Sequence, residues 1–298
     1  MKSKEILGQA PDKVRIKKKS QAKDIWIRFK KNKTAILGLI IFIIIILVVI
    51  FADIIVPSEA ALKQNISERL QGVSKEHWFG TDNFGRDIFA RIVHGSRYSL
   101  LIGIGAVAIG ITIGGILGSV SGYFGGAIDT FIVKFMDMIM SIPLMLLVLS
   151  IVTALGTNLV NVLVAMMIAN IPQYTRIVRS AVVSVVDMDY IEAARACGAS
   201  NFGIILQHVI PNAIGPIIVQ ATMAVGVMII NAAGISFLGM GIQPPTPEWG
   251  AMLNEGKSFM TTYPHIVFFP GLAIGLTALS LNLMGDGLRD ALDPKMKD

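Results

Sequence analysis

Long stretches without a charged side chain are the most prominent pattern along this chain. The first covers residues 34–52, and others follow at 98–128, 138–175, 196–247 and 258–285. A helix rises about 1.5 Å per residue, so a stretch as long as the first can cross a bilayer core of about 30 Å. The pattern therefore predicts an all-α integral membrane protein.

Turn residues divide these stretches into six predicted transmembrane helices. The turn at 122–126 ends the second helix. The stretch 138–175 is too long for one span, and it divides at 156–158 into helices near 130–155 and 159–179. The stretch 196–247 contains a helix near 212–238, and 258–285 contains the last. We expect a first transmembrane helix at 34–56, a loop at 57–97, a five-helix core at 98–288 and a tail at 289–298.

Basic residues are concentrated before the first helix. Residues 1–33 contain twelve Lys or Arg and three acidic residues, whereas the other 265 contain fourteen basic and seventeen acidic ones. Because positive charge marks the cytoplasmic side of a membrane helix, we interpret this segment as a cytoplasmic arm rather than a nucleic-acid-binding one. Six spans then predict a cytoplasmic C-terminus, with loops 57–97, 156–158 and 239–264 external and loops 120–130 and 180–211 internal.

Composition excludes two large classes of protein. Hydrophobic residues make up 53% of the chain and charged residues 15%, with a mean hydropathy of +0.66 and a net charge of +6. Soluble domains carry about 25% charged residues. The single cysteine, Cys197, allows no internal disulfide. Neither a disulfide scaffold nor a typical soluble enzyme fits these values.

The second predicted helix carries a glycine at every fourth position. The repeat consists of Gly110, Gly114, Gly118, Gly122 and Gly126. Small residues at this spacing let another backbone approach closely, which is how membrane helices pack together. We expect tight packing inside a bundle, and a gating hinge is the alternative.

Polar residues at the predicted membrane depth are mostly amides. They are Asn161, Asn170, Gln220, Asn231 and Asn282. Asp129, Lys134 and Asp137 fall in the first turns of the third helix, where the acids would face other helices. An ion-coupled secondary carrier normally needs an intramembrane carboxylate or broken helices, so this class is disfavoured. A substrate path lined by amides remains open.

No pattern of catalytic or metal-ligating residues is visible. The segment Glu255-Gly256-Lys257-Ser258 resembles the end of a phosphate-binding loop, but the required glycine is replaced by Ala251. The four histidines lack metal-ligand spacing, and no nucleophile–base motif occurs. We therefore expect no catalytic, cofactor or metal site on this chain, and a driving force supplied by a partner.

The predicted internal loop 187–211 has features of a docking element. A short helix at 190–196 is closed by Gly198, and Asp187 and Asp189 lie near its start, where the helix dipole favours negative charge. A second short helix is expected from about Ser200 to Pro211. Alanines make the first helix thin, as suits insertion into a groove of another protein.

This loop resembles a known motif. Glu192-Ala193-Ala194, Gly198 and Ile210-Pro211 are similar to the "EAA" loop of permease subunits of bacterial ABC importers. His208 and Ile210 depart from the general pattern, in which isoleucine and leucine are usual. A histidine at that position is familiar in the peptide-importer branch.

Three more segments resemble the dipeptide/oligopeptide/nickel permeases of that family, so the similarity covers roughly residues 75–295. The basic arm and the single first helix are typical of the C-type partner of the permease pair. The three segments are His77-Trp78-Phe79-Gly80-Thr81-Asp82 with Gly85-Arg86-Asp87, Ser236-Phe237-Leu238-Gly239 with Pro244-Pro245 and Trp249-Gly250, and Gly285-Asp286-Gly287-Leu288-Arg289-Asp290.

The resemblance implies a type I ABC importer permease fold with a cytoplasmic coupling helix, in the bacterial inner membrane. The implied partners are a homologous second permease, two ABC ATPase subunits that bind ATP and Mg²⁺, and an external substrate-binding protein. Short peptides are the implied cargo, while nickel or oligosaccharides, an ion-coupled carrier and a non-transporting scaffold remain alternatives. The implied ATPase-coupling residues are Tyr190, Glu192, Ala193, Ala194, Arg195 and Gly198, and the implied binding-protein docking residues are Asp82, Arg86, Asp87 and Trp249.

Overall fold

The structure is a computed structural model that describes residues 21–293, so most of the predicted arm and the end of the predicted tail lie outside the described residues. The described part is helical apart from loops and one isolated bridge between Thr81 and Asp87. The helices are α1 (Gln21–Lys31), α2 (Lys33–Ile50), α3 (Ala52–Ile55), α4 (Ser58–Leu62), α5 (Ile88–Phe124), α6 (Gly126–Met140), α7 (Leu144–Leu155), α8 (Leu159–Val186), α9 (Asp189–Ala196), α10 (Asn201–Ile204), α11 (Ile210–Phe237), α12 (Trp249–Gly256) and α13 (His265–Leu292), with short 3₁₀ turns at Ile66–Glu68 and Lys257–Phe259.

Four helices between residues 21 and 293 are long and apolar enough to cross a membrane. They are α2, α5, the continuous helix Asn201–Phe237 and α13. A fifth span is formed if α6 and α7, which are bent by 80° relative to each other, are counted together. Helix α8 is 28 residues long but is not among the apolar spans. The all-α membrane fold is confirmed, whereas the count of six spans is not.

The predicted helix near 130–155 is wrong as a single element. It is broken between Met140 and Leu144, where Pro143 precedes the first turn of α7. Proline lacks the backbone N–H that continues a helix, and it forces the preceding residue out of the helical region. The break at 156–158, in contrast, is confirmed, because α7 ends at Leu155 and Asn158 caps α8.

Helix α5 begins ten residues earlier than the predicted loop 57–97 allows. The Asp87 side chain caps it by accepting from the Ala90 N–H at 2.8 Å. Its charged first turns are tolerated because each guanidinium has partners: Arg97 donates to the Val49 carbonyl at 3.1 Å and to Asp53 at 2.8 Å. The rest of this loop contains α3, α4 and a 3₁₀ turn, and the first span ends at Ile50 rather than at residue 56.

The glycine repeat forms the contact between α5 and α8. A Cβ built on Gly114 would lie 2.9 Å from the Thr175 nitrogen, and one on Gly118 would lie 2.5 Å from the Thr175 oxygen. The two backbones are therefore in direct contact, as expected for packing inside a bundle. Gly126 lies outside this interface and follows the turn between α5 and α6.

The second short helix expected at 200–211 does not end at Pro211. It continues through a π-helical turn at Ile205–Val209 into α11. The proline ring would clash with the carbonyl four residues earlier, that of Gln207, in a regular helix. Gln207 lies in the wider π turn, so the helix is widened instead of ended. The predicted helix near 212–238 therefore corresponds to α11 with a longer beginning.

Helix α13 packs along α2 through two glycines. A Cβ on Gly38 would lie 2.7 Å from the Ser280 oxygen, and one on Gly287 would lie 2.1 Å from the Ala35 Cβ. Asn32 donates to Asp290 at 3.0 Å at the end of this interface. The C-terminal motif at 285–290 thus packs α13 against α2.

Candidate functional site

Helix α9 is anchored by one hydrophobic side chain. Ile191 is 0% exposed and packs in a cluster with Tyr123, Val182 and Ile204. The Tyr123 hydroxyl donates to Asn201 Oδ1 at 2.9 Å, which ties the end of α5 to the start of α10. The short helix is therefore held against the bundle from one side.

A glycine turn ends α9. Gly198 has φ +80°, a conformation that costs an L-residue roughly 1–2 kcal/mol. Its N–H donates to the Arg195 carbonyl at 2.9 Å, and the Ala199 N–H reaches back to the Ala194 carbonyl at 3.1 Å. These bonds satisfy carbonyls that the helix end leaves free. Ser200 then caps the next helix by accepting from the Gly203 N–H at 3.2 Å.

Five of the six predicted coupling residues are exposed on α9 and on the turn that follows it. The sixth, Ala194, is half-buried, and the Arg195 guanidinium lies 5.2 Å from the Tyr123 ring centroid. The Glu192 carboxylate forms no hydrogen bond or ion pair within residues 21–293, whereas its backbone N–H donates to the Met188 carbonyl at 3.4 Å. The chain therefore presents a rigid short helix with an unpaired carboxylate. The exposed members are Tyr190, Glu192, Ala193, Arg195 and Gly198.

Four charged side chains form a closed ring at the other end of α5. Arg86 donates to Asp82 at 2.7 Å and to Glu255 at 2.8 Å, while Arg91 donates to the same two carboxylates at 2.9 Å and 2.7 Å. Both arginines are 1% exposed. We call Asp82, Arg86, Arg91 and Glu255 the charged ring.

The electrostatics of the ring balance two cations against two carboxylates. Burial raises the pKa of Glu255 to about 7, and the positive charge of Arg86 opposes that rise. Asp82 Oδ1 also accepts from the N–H groups of Phe84 and Arg86, at 2.8 Å and 3.0 Å. The ring thereby fixes the 80–87 turn onto α12, which lies far away in sequence.

The docking candidates are largely buried. Asp82 and Arg86 belong to the ring, and Trp249 is 2% exposed, with its indole N–H donating to the Ile92 carbonyl at 3.0 Å. Asp87 caps α5 and contacts His77 at 2.8 Å. Asp82, Arg86 and Trp249 therefore hold the loops together and do not present a surface to another protein, so we do not carry the docking assignment forward for these three side chains.

Three charged residues at this end of the molecule escape recognition in the sequence. Arg91 and Glu255 complete the ring, and Glu248 caps α12 by accepting from the N–H groups of Gly250 and Ala251 at 2.9 Å and 2.8 Å. Glu255 is 169 residues from Arg86, so no local pattern joins them. The acidic residue before Trp249 is the one signal that a helix cap offers.

Two ion pairs join α6 to α8. Asp129 on α6 accepts two bonds from Arg179 on α8, at 2.5 Å and 2.6 Å, and Asp137 pairs with Arg176. The acids thus face another helix, as the sequence predicts, and neither is a free carboxylate. No cluster of three potential metal ligands occurs within residues 21–293.

Comparisons with known proteins agree with this geometry. Residues 110–298 match the family described as binding-protein-dependent transport system inner membrane component, and residues 20–72 match the N-terminal TM domain of oligopeptide transport permease C. The dipeptide transport system permease protein DppC of Alkalihalophilus pseudofirmus is 49% identical over 91% of this chain and 88% of its own length. The glutathione transport system permease protein GsiD of Escherichia coli is 44% identical over 96% and 93%.

Solved structures share the fold. Two inward facing conformations of the MetNI methionine ABC transporter superpose with TM-scores of 0.57 and 0.58, at 18% and 19% identity, over 68% and 69% of this chain. The fold, the exposed helix in the loop 187–211 and the relatives lead to one assignment. The chain belongs to the family of binding-protein-dependent transport system inner membrane components, as a multi-pass permease subunit in the peptide and oligopeptide branch of the ABC importers.

Proposed function

We propose that this chain and a homologous second permease form the membrane path for short peptides, which an external substrate-binding protein delivers. Two ATPase subunits bind on the cytoplasmic side, one at α9 and one at the corresponding helix of the second permease, and their closure on ATP and Mg²⁺ moves the two coupling helices together. That rigid-body motion switches the path between its two sides. The chain itself hydrolyses nothing and binds no cofactor.

One observation carries the coupling role: α9 is fixed from behind by Ile191 and exposed in front. A helix that is anchored in this way transmits a push, because its displacement carries the buried cluster around Tyr123 and Ile204 with it. The unpaired Glu192 offers a charge-assisted hydrogen bond to a cationic or N–H group of the partner.

Helix α1, the described part of the arm, lies at the same end of the molecule as α9, which supports a cytoplasmic position for both. Phe29 of α1 lies 3.2 Å from a Cβ built on Gly287, near the end of α13. Leu292, at the end of α13, lies 3.7 Å from a Cβ built on Gly215, near the start of α11. The basic arm favours the cytoplasmic side by the positive-inside rule, and an ATPase partner requires that side.

The peptide cargo rests on the relatives. The two named relatives transport dipeptide and glutathione, which share peptide-type bonds, and neither name favours nickel or oligosaccharides. Membership in an ABC importer family also argues against the two alternatives of an ion-coupled carrier and a non-transporting scaffold.

The first test reverses the exposed charge on α9. In the complete transporter, Glu192→Lys should reduce copurification of the ATPase subunits and reduce peptide uptake at least tenfold, because it turns an attraction at the contact into repulsion. Glu59→Lys makes the same charge change at an exposed position of α4, at the other end of α5, and should leave ATPase copurification unchanged. Normal uptake by Glu192→Lys would contradict the coupling assignment.

The second test removes the turn that ends α9. Gly198→Pro cannot adopt φ +80° and loses the N–H that bonds to Arg195. We expect an inserted permease whose ATPases still hydrolyse ATP but no longer drive uptake. A variant that takes up peptide at the normal ratio to ATP hydrolysed would show that the geometry of this turn is not needed for coupling.

A further inference from the structure

A small cleft between three helices is lined by amide side chains. It measures about 130 Å³ and lies where α8, α11 and α13 meet. Since a water molecule occupies roughly 30 Å³ in the liquid, the space holds about four waters or a comparable piece of a larger molecule. The polar groups that line it are Asn170, Gln173, Tyr174, Gln220, Asn231 and Asn282.

Most of these groups have no hydrogen-bond partner in the described part of the chain. Gln173, Gln220, Asn231, Asn282 and the Tyr174 hydroxyl form none between residues 21 and 293. Asn170 donates to the Met166 carbonyl at 2.8 Å and more weakly to the Met228 sulfur at 3.8 Å. Gln173 is exposed on this chain, and Gln220, Asn231 and Asn282 are half-buried. The four amides therefore line a space that opens to the surface of the chain, and their donors and acceptors are free to bind a further molecule.

The lining extends along one face of α11. Gln220, Ala224, Val227 and Asn231 follow one another at intervals of three or four residues, which places them in one row. From Gln220 to Asn231 this row is about 16 Å long at 1.5 Å per residue, roughly half the thickness of a bilayer core. The row therefore resembles a path more than a compact pocket.

The chemistry of the row is neutral and carries both donors and acceptors. No charged residue lines the cleft. Each amide offers an N–H₂ donor and a carbonyl acceptor. These groups match the C=O and N–H of a peptide group and do not select among the side chains of the peptide. Met223 and Met228, also in the lining, adapt to apolar groups of varied shape.

We call the row from Gln220 to Asn231 on α11, together with the amides that line the same cleft from α8 and α13, the amide row. We infer that the amide row is this chain's half of the peptide path, and that it binds the backbone peptide groups of the transported peptide. The inference rests on the proposed peptide transport. Neutral amides favour passage of peptides of any net charge, while recognition of the free termini is left to other parts of the transporter.

The test replaces two amides of the row and measures uptake. In proteoliposomes containing the complete transporter and saturating binding protein, the double variant Gln220→Leu, Asn231→Leu should take up a tripeptide at least fivefold more slowly per assembled complex. Binding-protein-stimulated ATP hydrolysis should persist. The control Thr222→Val lies on the same helix but outside the cleft lining, and its hydroxyl is already bonded to the Ile218 carbonyl at 2.9 Å; its uptake should stay within twofold of the wild type.

A second substrate separates binding of the backbone from a structural role. A tripeptide with methylated peptide nitrogens lacks the backbone donors, so the wild type should transport it several-fold more slowly than the parent, and the double variant should no longer distinguish the two. Unchanged uptake by the double variant would overturn the inference. So would reduced assembly with normal uptake per assembled complex, because the amides would then bind the second permease. Absence of peptide uptake by the wild type would instead overturn the proposed function.

Discussion

At the residue scale, the charged ring shows what the 80–87 motif does. Arg86 and Arg91 each contact both Asp82 and Glu255, and all four side chains are largely withdrawn from water. A buried group of ions is stable only while every partner is present, because removal of one leaves an uncompensated charge. The motif therefore fastens a loop to α12.

Removal of one cation should destabilise this end of the molecule. We expect Arg86→Ala to cost roughly 3–5 kcal/mol and to lower the thermal transition of the detergent-solubilised permease pair. Arg69→Ala removes an exposed arginine from the same loop and should leave the transition within about 2 °C, since exposed charges contribute little. Equal effects of the two variants would show that the ring does not stabilise the loop.

Local residues can be assigned from the sequence where their role is local. Gly198 ends a helix through its own backbone conformation. Glu192 lies on a short helix whose alanines already indicate a docking element in the sequence. Asp82 and Arg86 are different, because their partner Glu255 comes from α12. A motif identifies such residues as important, but only the folded chain shows that they bind each other.

At the element scale, the contact between α5 and α8 depends on the absence of side chains. Gly114 and Gly118 let the two helices touch through their backbones. The spacing of four residues also puts the glycines on one face of α5. The ion pairs of Asp129 and Asp137 with α8 then hold α6 against the same helix.

A single methyl group should separate the two helices. Gly118→Ala places a Cβ 2.5 Å from the Thr175 oxygen, whereas Gly115→Ala meets only the Val178 side chain at 4.0 Å. We expect the first variant to lose about 1–3 kcal/mol through overpacking, measured as a lower thermal transition, and the second to resemble the wild type. If Gly118→Ala is as stable as Gly115→Ala, the backbones are not in the contact described.

The ends of the helices were only partly predictable, for physical reasons. Pro143 breaks the third predicted helix by its missing N–H, and this signal is present in the sequence. Pro211 carries the same signal and yet does not end its helix, because the wider π turn around Gln207 leaves room for the proline ring. Charge-free stretches also misplace the start of α5, since paired guanidiniums such as that of Arg97 are tolerated inside it.

At the scale of the whole molecule, α5 connects two ends with different roles. At about 1.5 Å per residue its 37 residues span about 55 Å. The charged ring lies at its start, and Tyr123, which contacts the coupling loop, lies at its end. The amide row lies between these ends, so a displacement of α9 acts on the same bundle that encloses the row.

Binding of an ATPase subunit at α9 can be measured directly, because the only cysteine of the chain lies beside this helix. Cys197 is exposed and immediately follows α9. The decisive measurement is the initial rate at which a maleimide labels Cys197 in the permease pair, with and without the ATPase subunits, read on this chain by mass spectrometry. A cysteine placed at the exposed Lys63 in a Cys197→Ser background serves as the control. We expect at least tenfold slower labelling of Cys197 when the ATPases are bound and no change at position 63; equal labelling of Cys197 with and without the ATPases would contradict the binding of an ATPase subunit at α9.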